Sequence, residues 1–353
     1  MKPCVVGLGN IGLQLLLDLR KKEIDAIGVD CKPELVDSLR RAGLKVSTAH
    51  QDFKDIDVWL IAISTGSRME NLYELAETIS PKPGALVSVE STLIPGTMKR
   101  LAEIFETKNY RLGQDLFLIH VPHRINFGID RDVFEQPRVI GGITPACIQR
   151  GLEFYQPLIK QLITVSDVRI AELAKIIENS SRHLNIAFAE AIYRYCLEEE
   201  LSFDEVRTSV NSKTNVRLLD VDYGIGGECL SKDMSFLWEA TRSGLMESAL
   251  TEDERYRKFL FETLKNESAV LISGITYKPE LKNLNFSRAT ELYQRLVDYG
   301  TPVYVEDPMF DKEELETLGF SVWNDEPVSA IVKRGSIFRN TGKVEHEKSG
   351  CLL

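Results

Sequence analysis

Short apolar runs bounded by turn residues alternate with segments of helical period through the first half of the chain. Cys4-Val5-Val6 precedes a helical pattern over 11–20, and Ala26-Ile27-Gly28-Val29 precedes another over 34–42. Val58-Trp59-Leu60-Ile61-Ala62-Ile63, a helix over about 69–79, Ala85-Leu86-Val87-Ser88-Val89, a helix over 97–105 and Leu116-Phe117-Leu118-Ile119-His120 continue the rhythm. Continuous apolar strands separated by helices imply a parallel sheet covered on both faces, here one doubly wound domain over 1–167. At 168 the period changes. Ile170, Leu173, Ala174, Ile177, Leu184, Ala187 and Ala191 recur at helical spacing with no glycine or proline, which predicts one helix reaching about 201. Such a helix far exceeds the mean of about 11–12 residues and suits a bridge between domains or a dimer seam.

A second strand-helix-strand rhythm runs through Ala269-Val270-Leu271-Ile272-Ser273-Gly274, a helix over 288–299 and Val303-Tyr304-Val305. The expected architecture is α/β: an amino-terminal Rossmann domain (1–167), a central helical dimerisation region (168–262), a smaller second Rossmann-like domain (263–339) and a frayed polar tail (340–353). No tandem repeat is present.

Composition narrows the function classes. The 353 residues are 43% hydrophobic and 27% charged, ordinary for a globular chain with a large core. Lysine and arginine number 43 against 53 acids, a net charge of -10 that repels a phosphate backbone, so no nucleic acid partner is expected. No run approaches ~20 consecutive apolar residues and no signal sequence opens the chain, which predicts a cytoplasmic protein without a membrane partner. Cys4, Cys31, Cys147, Cys196, Cys229 and Cys351 form no CxxC pair, so neither a metal site nor a disulfide framework is expected. Cys351 is third from the end rather than fourth, so no lipid anchor is read there.

Gly7-Leu8-Gly9-Asn10-Ile11-Gly12 follows a strand and opens a helix. Gly7 allows the tight turn, Gly9 lets backbone approach a pyrophosphate, and Gly12 lets helix pack on strand, while the helix start offers unpaired N–H groups. Asp30 ends the second strand eighteen residues after Gly12, where a carboxylate accepts from ribose hydroxyls and repels a 2′-phosphate. The cofactor expected is NAD, held by Gly7, Gly9, Asn10, Ile11, Gly12 and Asp30.

Tyr223-Gly224-Ile225-Gly226-Gly227-Glu228-Cys229-Leu230-Ser231-Lys232-Asp233 sets one cysteine behind three glycines. At a helix start, the dipole and Lys232 would favour its thiolate; in a packed segment it would be a small buried hydrophobe. Lys175 and Asn179 are four apart on the long helix and share a face, as an oxyanion pair or as solvated surface residues.

Taken in order, these segments resemble the UDP-glucose/GDP-mannose dehydrogenase family from about residue 1 to 310. The motifs are the glycine turn, Glu90-Ser91-Thr92-Leu93-Ile94-Pro95-Gly96-Thr97, Glu172-Leu173-Ala174-Lys175-Ile176-Ile177-Glu178-Asn179, Gly226-Gly227-Glu228-Cys229-Leu230-Ser231-Lys232-Asp233, Gly274-Ile275-Thr276-Tyr277-Lys278-Pro279 and Tyr304-Val305-Glu306-Asp307-Pro308. The resemblance implies NAD-dependent oxidation of a nucleotide-sugar C6 alcohol to the carboxylate, in a homodimer, with Cys229 as covalent nucleophile. It implies Lys175 and Asn179 on the oxyanion, Asp233 and Thr92 on the hydrolytic water, Thr65 and Thr92 beside the bound NAD, and Lys278 on the substrate pyrophosphate, beside a substrate loop at Gly226 and Gly227.

The sequence departs from the family at Val121-Pro122-His123-Arg124, where His123 stands in place of a glutamate. It departs again at Lys282-Asn283-Leu284-Asn285-Phe286-Ser287, where no arginine matches, and after Ser329. With an ordinary pKa of about 6.5, His123 as a base would give an acid limb near neutrality. Pro122-His123-Arg124 is nonetheless similar to the Pro-Glu-Arg of the branch acting on N-acetylhexosamines, whereas Lys232-Asp233 looks more like the UDP-glucose and GDP-mannose branches. Two other readings stand beside this one: a two-electron β-hydroxyacid dehydrogenase, which has no use for Cys229, and an NAD-binding regulatory protein without turnover.

Overall fold

The structure, a computed structural model, describes residues 1–53, 55–66, 68–125, 130, 132–227, 229–278 and 282–339. The predicted tail at 340–353, with Cys351, and the motif residues Glu228 and Pro279 lie outside the described residues. Two compact units divide between Glu178 and Asn179.

The first unit runs β1 (Pro3–Val6), α1 (Asn10–Lys21), β2 (Ile27–Val29), α2 (Pro33–Arg41), β3 (Val46–Ser47), β4 (Val58–Ile61), α3 (Glu70–Thr78), β5 (Ala85–Val89), α4 (Thr97–Thr107), β6 (Leu116–His120), β7 (Arg138–Gly142), α5 (Pro145–Tyr155) and β8 (Leu162–Thr164). Among the described residues its sheet has the order β3-β2-β1-β4-β5-β6-β7-β8. All neighbours are parallel except β6 and β7. The order reverses beside β1, the crevice where open α/β sheets take ligands. Completely buried Val5, Leu15, Leu16, Leu19, Val58 and Leu60 form the core under α1.

The sequence pattern showed neither β7, α5 nor β8. Arg138-Val139-Ile140-Gly141-Gly142 carries a charge and two glycines, and β8 is three residues long with two of them exposed, so neither has the apolar continuity of a central strand. Gly141 is required because a Cβ there would lie 2.9 Å from Val168 Cα, where the next helix begins.

That helix, α6 (Val168–Glu198), is the long element expected from the period. Its Glu172 is completely buried and caps another helix: Oε2 accepts from Gly96 N at 2.7 Å and Oε1 from Met98 N at 2.7 Å. The start of α4 has no side-chain cap of its own, and its N-cap Gly96 has φ 99°, so this carboxylate supplies the missing acceptors. Burial pushes the Glu172 carboxyl up while the two N–H donors oppose it. Glu172→Ala is expected to cost about 1–3 kcal/mol, read as a lower urea midpoint at constant slope.

The second unit takes the remainder of α6, then α7 (Phe203–Asn211), α8 (Cys229–Thr241), α9 (Gly244–Leu264), β9 (Val270–Ser273), α10 (Arg288–Tyr299), β10 (Val303–Glu306), α11 (Lys312–Thr317), β11 (Ala330–Lys333) and β12 (Ser336–Arg339). Its sheet has the order β10-β9-β11-β12, with β9 parallel to both β10 and β11 and β12 antiparallel at the edge. The segment after Ser329, unlike the family's ending in sequence, thus supplies two strands of this sheet. Tyr193, Tyr256, Leu260, Val270, Ile272 and Leu296 centre its core. Among the described residues no helix is long and apolar enough to cross a membrane.

Candidate active site

At the carboxyl edge of the first sheet, Gly7 has φ 88°, and a Cβ on it would stand 2.7 Å from Ala62 O. A Cβ on Gly12 would stand 1.7 Å from Gly7 O, so both glycines are sterically fixed. Gly9 differs: nothing lies within 4 Å of its Cβ position, and it caps α1 with no side-chain hydrogen bond. An open, uncapped helix start at Asn10, Ile11 and Gly12 fits a dinucleotide pyrophosphate.

Asp30 accepts from Leu8 N at 2.7 Å and from Lys32 N at 3.0 Å. It therefore fixes the glycine turn to the end of β2 and still has acceptor capacity toward ribose hydroxyls. Thr65 is buried in the loop after β4, and Thr92 is half-buried in the loop after β5. Ser91 Oγ ties these loops by donating to Ile63 O at 2.7 Å. Since β1, β2, β4 and β5 are parallel neighbours, all six glycine-turn and acid positions and both threonines share one sheet edge.

A buried charge network lies at the end of β5. Arg138 Nη2 pairs with Glu90 Oε2 and also donates to Val121 O, and the Tyr155 hydroxyl donates to Glu90 Oε1. Ser88 Oγ donates to the same oxygen at 3.1 Å. His123 Nε2 lies 2.8 Å from Glu90 Oε2. Burial pushes the Glu90 carboxyl up, but Arg138 and His123 outweigh it and hold it at about 2. Burial, reinforced by Arg138 and by Lys175 and opposed by Glu90, brings His123 down to about 4. His123 is therefore uncharged at neutral pH, and its protonation falls near 4 and not in the range of an ordinary imidazole. Asn126, Phe127 and Gly128, which follow this motif, lie outside the described residues.

In the second unit, Tyr223 anchors the glycine-rich loop through its one hydroxyl proton, shared between Ser273 O at 2.9 Å and Val332 O at 2.8 Å, at the ends of β9 and β11. Gly227 has φ 80°, and a Cβ there would meet the Tyr277 hydroxyl at 2.5 Å. Cys229 is exposed and is the first residue of α8, so its side chain lies at the N–H-bearing end of a helix, the environment that favours ionisation of a thiol. Lys232 lies over the Phe236 ring, 5.9 Å from its centroid.

Asp233 is one turn beyond Cys229 and completely buried, and its Oδ2 accepts from Asn179 Nδ2 at 2.6 Å. Lys175 is one turn before Asn179 on α6. Tyr277 is pushed up by burial first and then by its proximity to Cys229. Lys278, half-buried, lies 5.8 Å from the Tyr277 ring centroid. Asp307, buried, accepts from Ile275 N at 2.6 Å and Thr276 N at 3.0 Å, holding the loop that carries both residues.

Three members of this arrangement escaped sequence reasoning. Tyr277 had a signal, standing beside Lys278 in a quoted motif. Asp307 likewise sat in a motif without a role. Glu90 was quoted only as an opening residue, because nothing local announces partners 48 and 65 positions away.

Two sequence models of one family match the chain: the NAD binding domain of the UDP-glucose/GDP-mannose dehydrogenase family over residues 34–159 and its central domain over 169–255. An NDP-N-acetyl-D-galactosaminuronic acid dehydrogenase of Ralstonia solanacearum is 28% identical, covering 92% of this chain and 86% of the relative. A UDP-N-acetyl-D-mannosamine dehydrogenase of Escherichia coli strain K12 is 27% identical over 86% of this chain and 84% of the relative. Among solved structures, the UDP-N-acetyl-mannosamine dehydrogenase of Staphylococcus aureus superposes with a TM-score of 0.77 at 25% identity, covering 89% of this chain and 84% of that one. The chain belongs to the UDP-glucose/GDP-mannose dehydrogenase family and is an NAD-dependent nucleotide-sugar dehydrogenase, an oxidoreductase.

Proposed function

We propose that this dehydrogenase oxidises the C6 primary alcohol of a nucleotide-linked N-acetylhexosamine to the carboxylate, with Cys229 as covalent nucleophile. The observation that carries the mechanism is Cys229, exposed on the first turn of α8, with buried Asp233 one turn on and hydrogen-bonded to Asn179. The substrate class is supported by the names of the relatives and by Pro122-His123-Arg124.

NAD, when bound, accepts a hydride at each of the two oxidation levels. The Cys229 thiolate adds to the carbonyl carbon of the aldehyde, forming a C–S bond and an oxyanion. Lys175 supplies a cation and Asn179 an amide donor for that oxygen from one face of α6. Oxidation of the adduct leaves a thioester on Cys229, and Asp233 takes a proton from the water that hydrolyses it, returning the thiol. Lys278 binds the substrate pyrophosphate. The test is stoichiometric: UDP-N-acetylmannosamine, UDP-N-acetylgalactosamine and UDP-glucose are offered with NAD, and NADH per sugar is counted. Two NADH per N-acetylhexosamine is expected, and one per sugar points to a two-electron dehydrogenase.

Asp30 carries the choice of NAD over NADP. Repulsion of a 2′-phosphate is worth about 1–3 kcal/mol in a partly dry site, roughly a 5- to 150-fold preference in kcat/KM. Asp30→Asn keeps an acceptor for Leu8 N and removes the charge, so it should bring NADP within about tenfold of NAD. Comparable use of both cofactors by the parent would contradict the assignment.

A homodimer is the assembly we infer from α6, whose exposed Ile170, Ile177, Phe188 and Tyr195 recur at intervals of seven, eleven and seven and so form one stripe. Sedimentation at micromolar concentration should give twice the chain mass.

A further inference from the structure

The glycine-rich loop before Cys229 is held by more than its own turns. Ile225, 1% exposed, has both backbone groups taken by charged side chains: its N–H donates to Asp253 Oδ1 at 2.6 Å, and its C=O accepts from Arg288 Nε at 3.0 Å. These two side chains are joined through two others. Arg257 Nε donates to Asp253 Oδ2 at 3.1 Å and Arg257 Nη1 to Glu291 Oε1 at 2.7 Å, while Arg288 Nη1 donates to Glu291 Oε2 at 2.7 Å. Asp253, Arg257, Glu291 and Arg288 thus close a charge-balanced ring on one residue of the loop. Gly224 makes room for it, since a Cβ there would stand 2.6 Å from Arg257 Cγ. The segment that carries Arg288 grips the loop a second time, where Gly227 N donates to Phe286 O at 3.1 Å.

We propose that this ring is the positioning device for the nucleophile: Asp253 and Arg288, braced by Arg257 and Glu291, set where the Gly226-Gly227 backbone and the Cys229 thiol stand. Neither residue touches the reacting atoms, so both are positioning residues. The inference rests on Cys229 as nucleophile. Its physical content is that a glycine-rich loop has many backbone conformers of similar energy, and two fixed charge-assisted hydrogen bonds four residues from the thiol select one. A displacement of about 1 Å at a reacting group costs about a hundredfold in rate.

The test compares the full-length parent with Arg288→Met, Arg288→Lys and Glu291→Gln. Readouts are kcat and KM for UDP-N-acetylmannosamine with NAD saturating, NAD affinity, and amide hydrogen exchange in the peptide covering 223–230. Arg288→Met should lower kcat at least tenfold, leave NAD affinity within twofold and raise exchange in that peptide. Arg288→Lys, which keeps one donor, should recover part of both. Glu291→Gln, a half-exposed isosteric change that keeps the fold, should move both readouts in the same direction by a smaller amount. Unchanged exchange, or raised exchange with unchanged kcat, in Glu291→Gln and Arg288→Met would overturn the proposal. Cys229→Ser assayed in parallel separates the two readings: if it still forms acid the cysteine assignment fails, whereas the exchange arm continues to report on the ring alone.

Discussion

Cys229→Ser should bind NAD and nucleotide sugar as the parent does, yet form the uronate at least about a thousandfold more slowly. A serine hydroxyl is almost wholly protonated at neutral pH, whereas a thiol at a helix start is poised to ionise, and the second half of the reaction needs an ionised nucleophile. A thousandfold loss corresponds to about 4 kcal/mol of activation free energy. The first oxidation does not use the C–S bond, so the variant should yield an aldehyde that carbonyl reagents trap, with one NADH per sugar. Mass spectrometry of the parent quenched during turnover should find the acyl adduct on the peptide containing Cys229. Acid production by the serine variant at the parent's rate would remove the covalent mechanism.

The second large effect is on stability. Arg138→Met deletes the guanidinium that pairs with Glu90, both side chains being wholly buried. Breaking a buried pair by removing one partner costs about 3–5 kcal/mol, because the other charge remains in a dry site. The pH dependence follows from the same groups. In the parent, Glu90 is held at about 2, so its contribution is present above the ordinary carboxylate range and is lost as pH falls through about 2. His123, held at about 4 against about 6.5 in an unfolded chain, takes up its proton first in the unfolded state, so stability also declines as pH falls from about 6.5 to 4. Without Arg138, burial acts on Glu90 with only His123 and the Tyr155 and Ser88 hydroxyl donors to oppose it, and its carboxyl rises. The deficit of the variant should therefore be largest near neutral pH and shrink toward pH 4, and adding Glu90→Gln should recover part of it. Urea titrations at several pH values measure this, and a deficit independent of pH would mean that Arg138 acts through packing alone.

What the sequence made legible divides by distance along the chain. The Gly7-Gly9-Gly12 turn was readable because a tight turn, a bare helix start and a helix-strand contact are local demands with local residue signatures. A helix start at Cys229 was one of two local readings of its glycine-rich segment. Asp30 was read as a ribose acceptor from its place at a strand end, but its hold on Leu8 N requires knowing that β1 and β2 are neighbours. Glu172 was quoted inside a motif with Lys175 and Asn179, and its cap on α4, 76 positions earlier, is a tertiary fact. The clamp on Ile225 joins residues 28 and 63 positions away through backbone atoms, which leave no side-chain pattern to read. His123 shows the converse: its identity was plain, and its chemistry changed because burial, invisible locally, moved its titration.

The Glu90 network also has a consequence for synthesis. Arg138 follows Glu90 by 48 positions and Tyr155 by 65. At about 5–20 residues per second a ribosome needs roughly 3–13 s to make those 65 residues. For the first 48 of those residues β5 exists as an apolar strand ending in an acid whose buried cation has not yet been made, and the nascent chain must keep that end hydrated. The first four strands can pair as they emerge, but the sheet cannot close over Glu90 until α5 has left the exit tunnel. Closure of the sheet around Glu90 is therefore timed by translation of residues 138–155 and not by the collapse of the central strands, and β8 and the Glu172 cap on α4 follow it.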